Sequence, residues 1–314
     1  MLDRAAVNLD RSPRLKPPVR GIQIRSMSPL VGWVLAAPAA ISMAIFIVLP
    51  LLAVIVISLS SWQLGQSSFS FTGLANFERL LSDPLFARAL GNTILYAAIV
   101  IPGSIVLGLA VALLIEGGER SRAIYQTIHF LPVLATIAAL ALSWEALLNP
   151  FIGVANVIVG LFGFPPQNWL SDPRTTIPTL AVIGIWQHFG FCMVLFIAGI
   201  RTIPHELYEA SSMDGADGFW DRFVTVIWPL LGPVTLFVSI LVALRAFEVF
   251  DTVAVLTQGG PADSSQVLMY SIFTEAFQFL RTGYAAAITV VFLAILLVLT
   301  SAQLLVGERR VHYS

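Results

Sequence analysis

Six long apolar runs dominate this chain and restrict it to a fold made of membrane-spanning helices. They cover about residues 30–60, 86–115, 123–148, 176–200, 225–247 and 284–306. Each run reaches the length of about 20 mostly apolar residues that a helix needs to cross a bilayer. Lipid cannot satisfy backbone polar groups, so each run must satisfy its own, which favours helices. The sequence therefore predicts an all-α polytopic membrane protein with six transmembrane helices.

The composition agrees with this class and leaves no room for a separate folded domain. Of 314 residues, 57% are hydrophobic and 11% are charged, whereas soluble domains have roughly 25% charged residues. The segments between the runs are short. We therefore expect one transmembrane domain over residues 28–308, with a tail before it at 1–27 and another after it at 309–314.

The basic residues near the ends of the runs predict the orientation in the membrane. If the N-terminus is cytoplasmic, twelve Lys and Arg residues lie on the cytoplasmic side and four, Arg79, Arg88, Arg174 and Arg281, lie on the other side. Basic residues concentrate on the cytoplasmic side of membrane proteins. This predicts a multi-pass membrane protein with both termini in the cytoplasm.

A polar stretch between the fourth and fifth runs, residues 204–229, is here named the elbow. Pro204 suits the start of a helix, and Glu206 and Glu209 bring negative charge to its first turns. Gly215 can adopt the left-handed backbone that ends a helix. A second short helix would follow, with Asp217 or Gly218 as its cap. The alternative is that the stretch is only a solvated connector between two spans.

Two groups of polar residues lie inside the apolar runs. Gln187 and His188 lie within the fourth run and either contact a solute or bond to a neighbouring helix. Arg245 and Glu248 lie near the end of the fifth run, three residues apart, so on a helix they would share a face. They either neutralise each other or contact a solute.

The motifs of several chemistries are missing from the sequence. Lys16 is the only lysine, and no glycine-rich loop precedes it, so the chain has no phosphate-binding loop of the Walker type. The histidines form no zinc-binding His-Glu-x-x-His pair, and the single cysteine, Cys192, cannot form an intrachain disulfide. No nucleophile elbow of the Gly-x-Ser-x-Gly type occurs. We therefore predict no catalytic residues, no metal site and no nucleic-acid binding, and transport is the function that remains.

Several segments resemble a known family of transporters. The string Leu-Tyr-Glu-Ala-Ser-Ser-Met-Asp-Gly-Ala at 207–216, ending in Val-Ile-Trp-Pro at 226–229, resembles the Glu-Ala-Ala loop of binding-protein-dependent ABC importer permeases. The segments Gly-Leu-Ala-Asn-Phe at 73–77, Asn-Trp-Leu-Ser-Asp-Pro at 168–173 and Leu-Thr-Gln-Gly-Gly-Pro at 256–261 resemble its carbohydrate-uptake members of the MalF-like or UgpA-like kind. The resemblance covers about residues 30–306 and implies the type I importer (MetI-like) permease fold.

The resemblance also implies partners and a function. In this family two similar permeases, two ATPase subunits and an extracytoplasmic solute-binding protein work together, and the elbow holds a coupling helix that contacts the ATPase. ATP and Mg would then bind to the ATPase, and this chain itself would hold no cofactor. The expected cargo is a sugar or a related polar solute such as an oligosaccharide, a polyol or a glycerol phosphate.

The resemblance assigns two sets of site residues. The coupling set, within the loop 201–224, is Glu206, Glu209, Ala210, Met213, Asp214, Gly215 and Ala216. The substrate set, carried over by position, is Trp186, Gln187, His188, Phe191, Arg245, Glu248 and Val249. The alternative function is an ion-coupled secondary transporter of a polar solute, which would have internal repeats with broken helices and a buried carboxylate.

Overall fold

A computed structural model describes residues 29–118, 122–216 and 218–310 of the chain. Within these residues the regular structure is helical, apart from one isolated bridge between Ser60 and Phe71. The predicted all-α class is confirmed. The predicted tail 1–27, the last residues of the chain, 311–314, and the predicted cap Asp217 lie outside the described residues.

The chain divides into two units, Met1–Leu51 and Leu52–Ser314. In the first unit helix α1 (Pro29–Met43) passes through Pro38 and is followed by a π-helical stretch, Ala44–Val48. The hydroxyl of Ser42 donates to the carbonyl of Pro38 at 2.8 Å. Helix α2 (Leu49–Ser58) begins directly after this stretch.

The second unit holds the remaining helices. In chain order they are α3 (Ala75–Ser82), α4 (Pro84–Gly117), α5 (Arg122–Leu134), α6 (Ile137–Leu147), α7 (Val154–Leu161), α8 (Thr176–Arg201), α9 (His205–Met213), α10 (Phe219–Arg222), α11 (Trp228–Leu230), α12 (Gly232–Phe247), α13 (Asp251–Leu256), α14 (Leu268–Phe273) and α15 (Thr282–Arg310). Two further π-helical stretches, Phe223–Ile227 and Thr274–Gln278, precede α11 and follow α14.

Five helical segments of the described chain are long and apolar enough to cross a membrane. They are Gly32–Ser58, Pro84–Gly117, Thr176–Arg201, Gly232–Leu256 and Thr282–Gly307. The third predicted run, 123–148, is divided into α5 and α6. Thr136 between them has an extended backbone (φ −75°, ψ 141°) and acts as the N-cap of α6, a position that threonine favours. The run is therefore a broken helix rather than a continuous one.

The fifth span starts later than the sequence predicts and is interrupted. It begins at Gly232 rather than near residue 225, because residues 223–230 form a π-helical stretch and the short helix α11. Helix α12 ends at Phe247, and α13 resumes the span at Asp251. Non-helical backbone at membrane depth is tolerated where it is buried or lines a cavity. The interruption at 248–250 therefore marks a place to look for a site.

Two apolar clusters stabilise the second unit, one at each end. The first contains Leu180 and Ile183 of α8, and the second contains Cys192 and Phe196 of the same helix. We call the end with the second cluster and the elbow the elbow end, and the opposite one the far end. Along α8 the segment between the clusters carries Gln187 and His188, so these polar residues lie between two layers of buried side chains.

At the far end, hydrogen bonds connect the first turns of α4 to other segments of the chain. The amide of Asn92 donates to the carbonyl of Gln266 at 2.9 Å, and the hydroxyl of Thr93 accepts from the N–H of Leu268 at 2.9 Å. The hydroxyl of Tyr284 donates to the carboxylate of Asp83 at 2.5 Å. These bonds join the start of α4 to the segment 263–268 and to α15.

Candidate functional site

The elbow folds as the sequence predicts in its first half. Pro204 is the N-cap of α9, which ends at Met213, and Gly215 has a φ of +90°. The N–H of Gly215 donates to the carbonyl of Ser212 at 3.1 Å, and that of Ala216 to the carbonyl of Ser211 at 2.9 Å. This pair of bonds is the Schellman motif, in which a left-handed glycine ends a helix. The predicted corner at Gly215 is therefore present.

Helix α9 has one free face and one packed face. The free face carries Glu206, Glu209, Ala210 and Met213, and the side chain of Met213 is 91% exposed. On the packed face, the ring of Tyr208 lies against the second apolar cluster. Six of the predicted coupling residues, Glu206, Glu209, Ala210, Met213, Asp214 and Gly215, are exposed, and Ala216 is half-buried. That these residues contact an ATPase stays a prediction.

The second half of the elbow carries exposed aromatic side chains and one arginine that bonds within the elbow. Phe219 and Trp220 are exposed. The guanidinium of Arg222 donates to the carbonyl of Ala216 at 3.2 Å and to the hydroxyl of Ser212 at 3.1 Å. These bonds hold α10 against the end of α9.

A groove of about 430 Å³ lies between α9 and the residues that follow α10. Leu207, Ala210 and Asp214 line one wall, and Val226 and Pro229 line the other. The lining combines small and apolar residues with one carboxylate at the rim. Such a groove offers a partner both contact area and a charged group for orientation.

A cavity of about 230 Å³ lies between the two apolar clusters. Its lining residues are Tyr96 from α4, Gln187 and His188 from α8, Arg245 from α12, and Glu248, Val249, Phe250, Asp251 and Thr252 from the interruption and the start of α13. The interrupted backbone of the fifth span thus lines a polar cavity, as a break at membrane depth requires.

The cavity brings together most of the predicted substrate set. Gln187, His188, Arg245, Glu248 and Val249 line it. Phe191 lies next to it, because the guanidinium carbon of Arg245 is 4.7 Å from the centre of its ring. Trp186 instead packs edge-on against Trp144, with ring centres 5.2 Å apart. Their role in solute binding stays a prediction.

Sequence reasoning missed four of the lining residues: Tyr96, Phe250, Asp251 and Thr252. Tyr96 lies on α4, which is distant in the sequence and reaches the cavity only through packing against α8. Asp251 lies three residues after Glu248, just as Glu248 lies three residues after Arg245. This regular spacing could have indicated Asp251 as a member of the site. It was missed because the fifth span was expected to end at residue 247.

The expected pairing of Arg245 with Glu248 is not formed. Glu248 is the C-cap of α12, and its N–H still donates to the carbonyl of Leu244 at 3.1 Å, so the end of the helix does not by itself separate it from Arg245. No ion pair of the described residues joins them, and the guanidinium of Arg245 lies over Phe191 instead. Both charged groups remain directed to the cavity.

The cavity side chains make few contacts with the rest of the protein. Across the described ranges, no hydrogen bond or ion pair between side chains engages Gln187, His188, Arg245, Glu248 or Asp251. Arg245, Glu248 and Asp251 are exposed, and Gln187 and His188 are half-buried. Water or a polar solute can therefore reach these groups. The described residues contain no group of three or more His, Cys, Asp or Glu side chains placed to hold a metal ion.

Comparison with known proteins identifies the family. Residues 104–312 match the model of the binding-protein-dependent transport system inner membrane component. The chain belongs to this family. It is therefore a permease component of a binding-protein-dependent importer, and the family does not correspond to the alternative of an ion-coupled secondary transporter.

Relatives and solved structures of this family resemble the chain over most of its length. A probable ABC transporter permease protein of Pyrococcus horikoshii is 33% identical over 263 residues, which cover 83% of this chain and 90% of the relative. The lactose transport system permease protein LacF of Rhizobium radiobacter is 30% identical and covers 89% of this chain and 94% of the relative. A bacterial ABC transporter involved in the import of the acidic polysaccharide alginate has the same fold, with a TM-score of 0.76, 22% identity, and coverage of 89% of this chain and 96% of that chain.

Proposed function

We propose that this permease imports a sugar or a related polar solute by alternating access, and that ATP hydrolysis on a partner subunit drives it through the elbow. The observation that carries this proposal is the polar cavity between two apolar clusters, whose side chains have few partners in the protein. A polyhydroxylated solute offers both donors and acceptors to such groups.

The cavity chemistry suits a sugar. Arg245 supplies donors, Glu248 and Asp251 supply acceptors, and Gln187 supplies both. The rings of Tyr96 and Phe250 provide flat apolar surface for the C–H face of a sugar ring. The relative named for lactose transport supports the same class of solute.

The elbow is the proposed contact with the ATPase. The free face of α9 and the adjacent groove present the coupling residues to a partner, and the Schellman corner at Gly215 fixes the direction in which the chain leaves the helix. Because α9 is short and its C-terminal end is fixed at this corner, a movement of the ATPase would displace the helix as a rigid unit. ATP and Mg bind to that partner, and this chain holds no cofactor and performs no catalysis.

The remaining proposals concern the subunits of the importer and the membrane in which it lies. The complex contains a second, similar permease, two ATPase subunits and an extracytoplasmic solute-binding protein. It lies in the cytoplasmic membrane of a prokaryote. The elbow end faces the cytoplasm, because twelve basic residues lie on that side and four on the other.

Two substitutions in the elbow test this function. Gly215→Ala forces a side chain into a left-handed conformation at a cost of roughly 1 kcal/mol, with open space around the new Cβ. Glu209→Lys reverses a charge on the free face. Both variants are expected to reach the membrane with their partners but to hydrolyse ATP without taking up solute.

The measurement compares uptake and ATP hydrolysis by the complete importer, with capture of the ATPase subunit as a check of assembly. A matched control is Gly160→Ala in α7, where an added Cβ also meets nothing within 4 Å and φ is not left-handed. Normal uptake in both elbow variants would refute coupling through the elbow.

A further inference from the structure

The carboxylate of Glu116, at the end of α4, lies where three segments of the elbow end meet. It belongs to neither predicted set of site residues. Its Oε1 accepts two bonds from the guanidinium of Arg201, from Nε at 3.0 Å and from Nη2 at 2.8 Å. Arg201 is the last residue of α8, three residues before the elbow begins. This contact therefore joins the end of α4 to the start of the elbow.

A second arginine contacts the other carboxylate oxygen of Glu116. Arg122, the first residue of α5, lies with its Nη1 3.5 Å from Oε2 of Glu116. Its Nη2 donates to the main-chain carbonyl of Glu116 at 2.7 Å, and its Nε donates to the carbonyl of Gly118. Arg122 thus satisfies carbonyls that α4 leaves free at its end.

The position of Glu116 is unfavourable unless these partners are present. A carboxylate at the C-terminus of a helix meets the negative end of the helix dipole. The side chain of Glu116 is only 14% exposed, so water solvates it poorly. Removing one partner of a largely buried charge pair leaves the other charge uncompensated, which is costly. The contact between Glu116 and Arg201 therefore holds α4 and α8 together more strongly than an ion pair on the exposed surface would.

The charge of Glu116 also acts on a side chain of α9. The charge of Glu116 adds to the effect of burial, and together they raise the pKa of Tyr208, which lies on the packed face of α9. The ring of Tyr208 packs on the second apolar cluster, to which α4 contributes Leu109 and α8 contributes Phe196. The coupling helix therefore rests on the two helices that Glu116 and Arg201 join.

These two helices carry cavity residues further along. Helix α4 carries Tyr96, and α8 carries Gln187 and His188. A link between their elbow ends therefore connects the surface offered to the ATPase with two walls of the cavity.

We propose that Glu116 is a positioning residue for transport: its contact with Arg201 makes α4, α8 and the coupling helix α9 move as one body when the partner ATPase binds MgATP. This inference rests on the proposed coupling through the elbow. The link makes no contact with solute or nucleotide and acts only through the helices that it joins.

The test measures a distance within the complete complex, with MgATP as the probe. Spin labels are attached at Leu114→Cys on α4 and His205→Cys on α9, which are 76% and 84% exposed. The natural thiol, Cys192, is fully buried and stays unlabelled. The distance between the labels is recorded without nucleotide and after trapping with MgATP and vanadate, together with stimulation of ATP hydrolysis by the solute-binding protein.

In the otherwise unaltered complex the distance is expected to be the same in both states. In Glu116→Gln it is expected to shift between them beyond the width of the original distribution, and stimulation of ATP hydrolysis is expected to be lost. Arg201→Gln, which weakens the same contact from the other side, is expected to change both properties in the same direction. Glu78→Gln, which alters an exposed acid at the far end, is the matched control and is expected to change neither.

Several results would overturn the inference. One is a distance that changes on trapping while Glu116 is intact, and another is a Glu116→Gln complex that behaves as the original does. An unchanged distance and unchanged stimulation in Arg201→Gln would also count against it. If Glu116→Gln does not assemble, Arg201→Gln removes the same contact from the other side, and failure of both to assemble would assign Glu116 to folding alone. Absence of any ATPase subunit from the purified complex would instead refute the proposed function, before a label is attached.

Discussion

The cavity and the elbow end both hold charged side chains next to buried apolar clusters, but among the described residues of these two regions ion pairs engage the charges only at the elbow end. In the cavity, Arg245, Glu248 and Asp251 are close in sequence, yet no ion pair of the described chain joins them. At the elbow end, Glu116 is held by Arg201 and by Arg122. Charges left without protein partners are available to a solute, whereas charges satisfied by the protein hold segments in place.

This difference predicts that the same kind of substitution has different consequences in the two regions. Neutralising a cavity charge should alter solute transport and leave stability nearly unchanged. Neutralising an elbow charge should loosen the structure and leave the affinity for solute unchanged.

The largest effect is expected for Arg245→Ala. A hydrogen bond to a charged group contributes about 1.5–3 kcal/mol, so its loss should lower uptake roughly 10-fold to 100-fold. The change is measured as solute uptake by the complete importer, with thermal stability recorded in parallel. Arg88→Ala, which removes an exposed arginine at the far end, is the control and should leave uptake unchanged. A large loss of stability in Arg245→Ala would contradict the contrast.

A smaller effect is expected for the two cavity carboxylates. Glu248→Gln and Asp251→Asn keep the shape of each side chain but weaken it as an acceptor, so each should raise the KM for uptake roughly 3-fold to 10-fold. This corresponds to about 1 kcal/mol. Neither should change the melting temperature, because neither group has an ion-pair partner among the described residues. An unchanged KM in both variants would exclude these carboxylates from the solute site.

A smaller effect still is expected for Arg222→Ala in the elbow. It removes the bonds to Ala216 and Ser212, and since Arg222 is half-exposed, the loss should be about 1 kcal/mol. This should weaken capture of the ATPase subunit about 5-fold without changing the affinity for solute. Arg174→Ala, at an exposed far-end position, serves as the comparison and should leave ATPase capture as it is.

The smallest effect concerns Glu275, a charge at the far end that combines burial with an ion pair. Burial raises the pKa of Glu275 above 4.5; Arg281 and Arg79 act against this rise, and Asp83 adds to it. Between 4.5 and the raised pKa the folded chain binds more protons than the unfolded chain, so stability is lost as the pH rises through that range.

This dependence is measured as the melting temperature of the purified protein in detergent from pH 4.5 to 7. The contribution of Glu275 is expected to amount to roughly 2 °C or less. In Glu275→Gln this part of the decline with pH should disappear, whereas Glu78→Gln should retain it. A steeper decline in Glu275→Gln would reverse the sign of the argument.

The elbow was predictable from sequence because its determinants are local. A proline, two glutamates and a glycine specify a short helix and its corner through backbone preferences that act within a few residues. The membrane-spanning class was predictable for a similar reason, since length and apolarity are properties of each segment alone.

The cavity and the Glu116 contact were less predictable because they depend on packing. Arg245 does not pair with Glu248 because its guanidinium lies over the ring of Phe191, which belongs to another helix. The pairing of Glu116 with Arg201 joins residues 85 positions apart, which no local pattern specifies. The division of the third run at Thr136 likewise replaced a continuous helix that hydrophobicity alone predicts.

The tight contacts of α8 restrict how the sequence of this protein can change over time. At Gly184 an added Cβ would overlap the hydroxyl of Tyr96, and at Gly190 it would overlap the main-chain carbonyl of His129. Every amino acid other than glycine carries at least that carbon, so a single replacement at either position requires a neighbour to move, and at Gly190 that neighbour is backbone. We therefore expect lineages of this permease to change the polar lining that chooses the cargo, and Gly184 with it where Tyr96 is replaced, while Gly190 stays a glycine whatever the cargo.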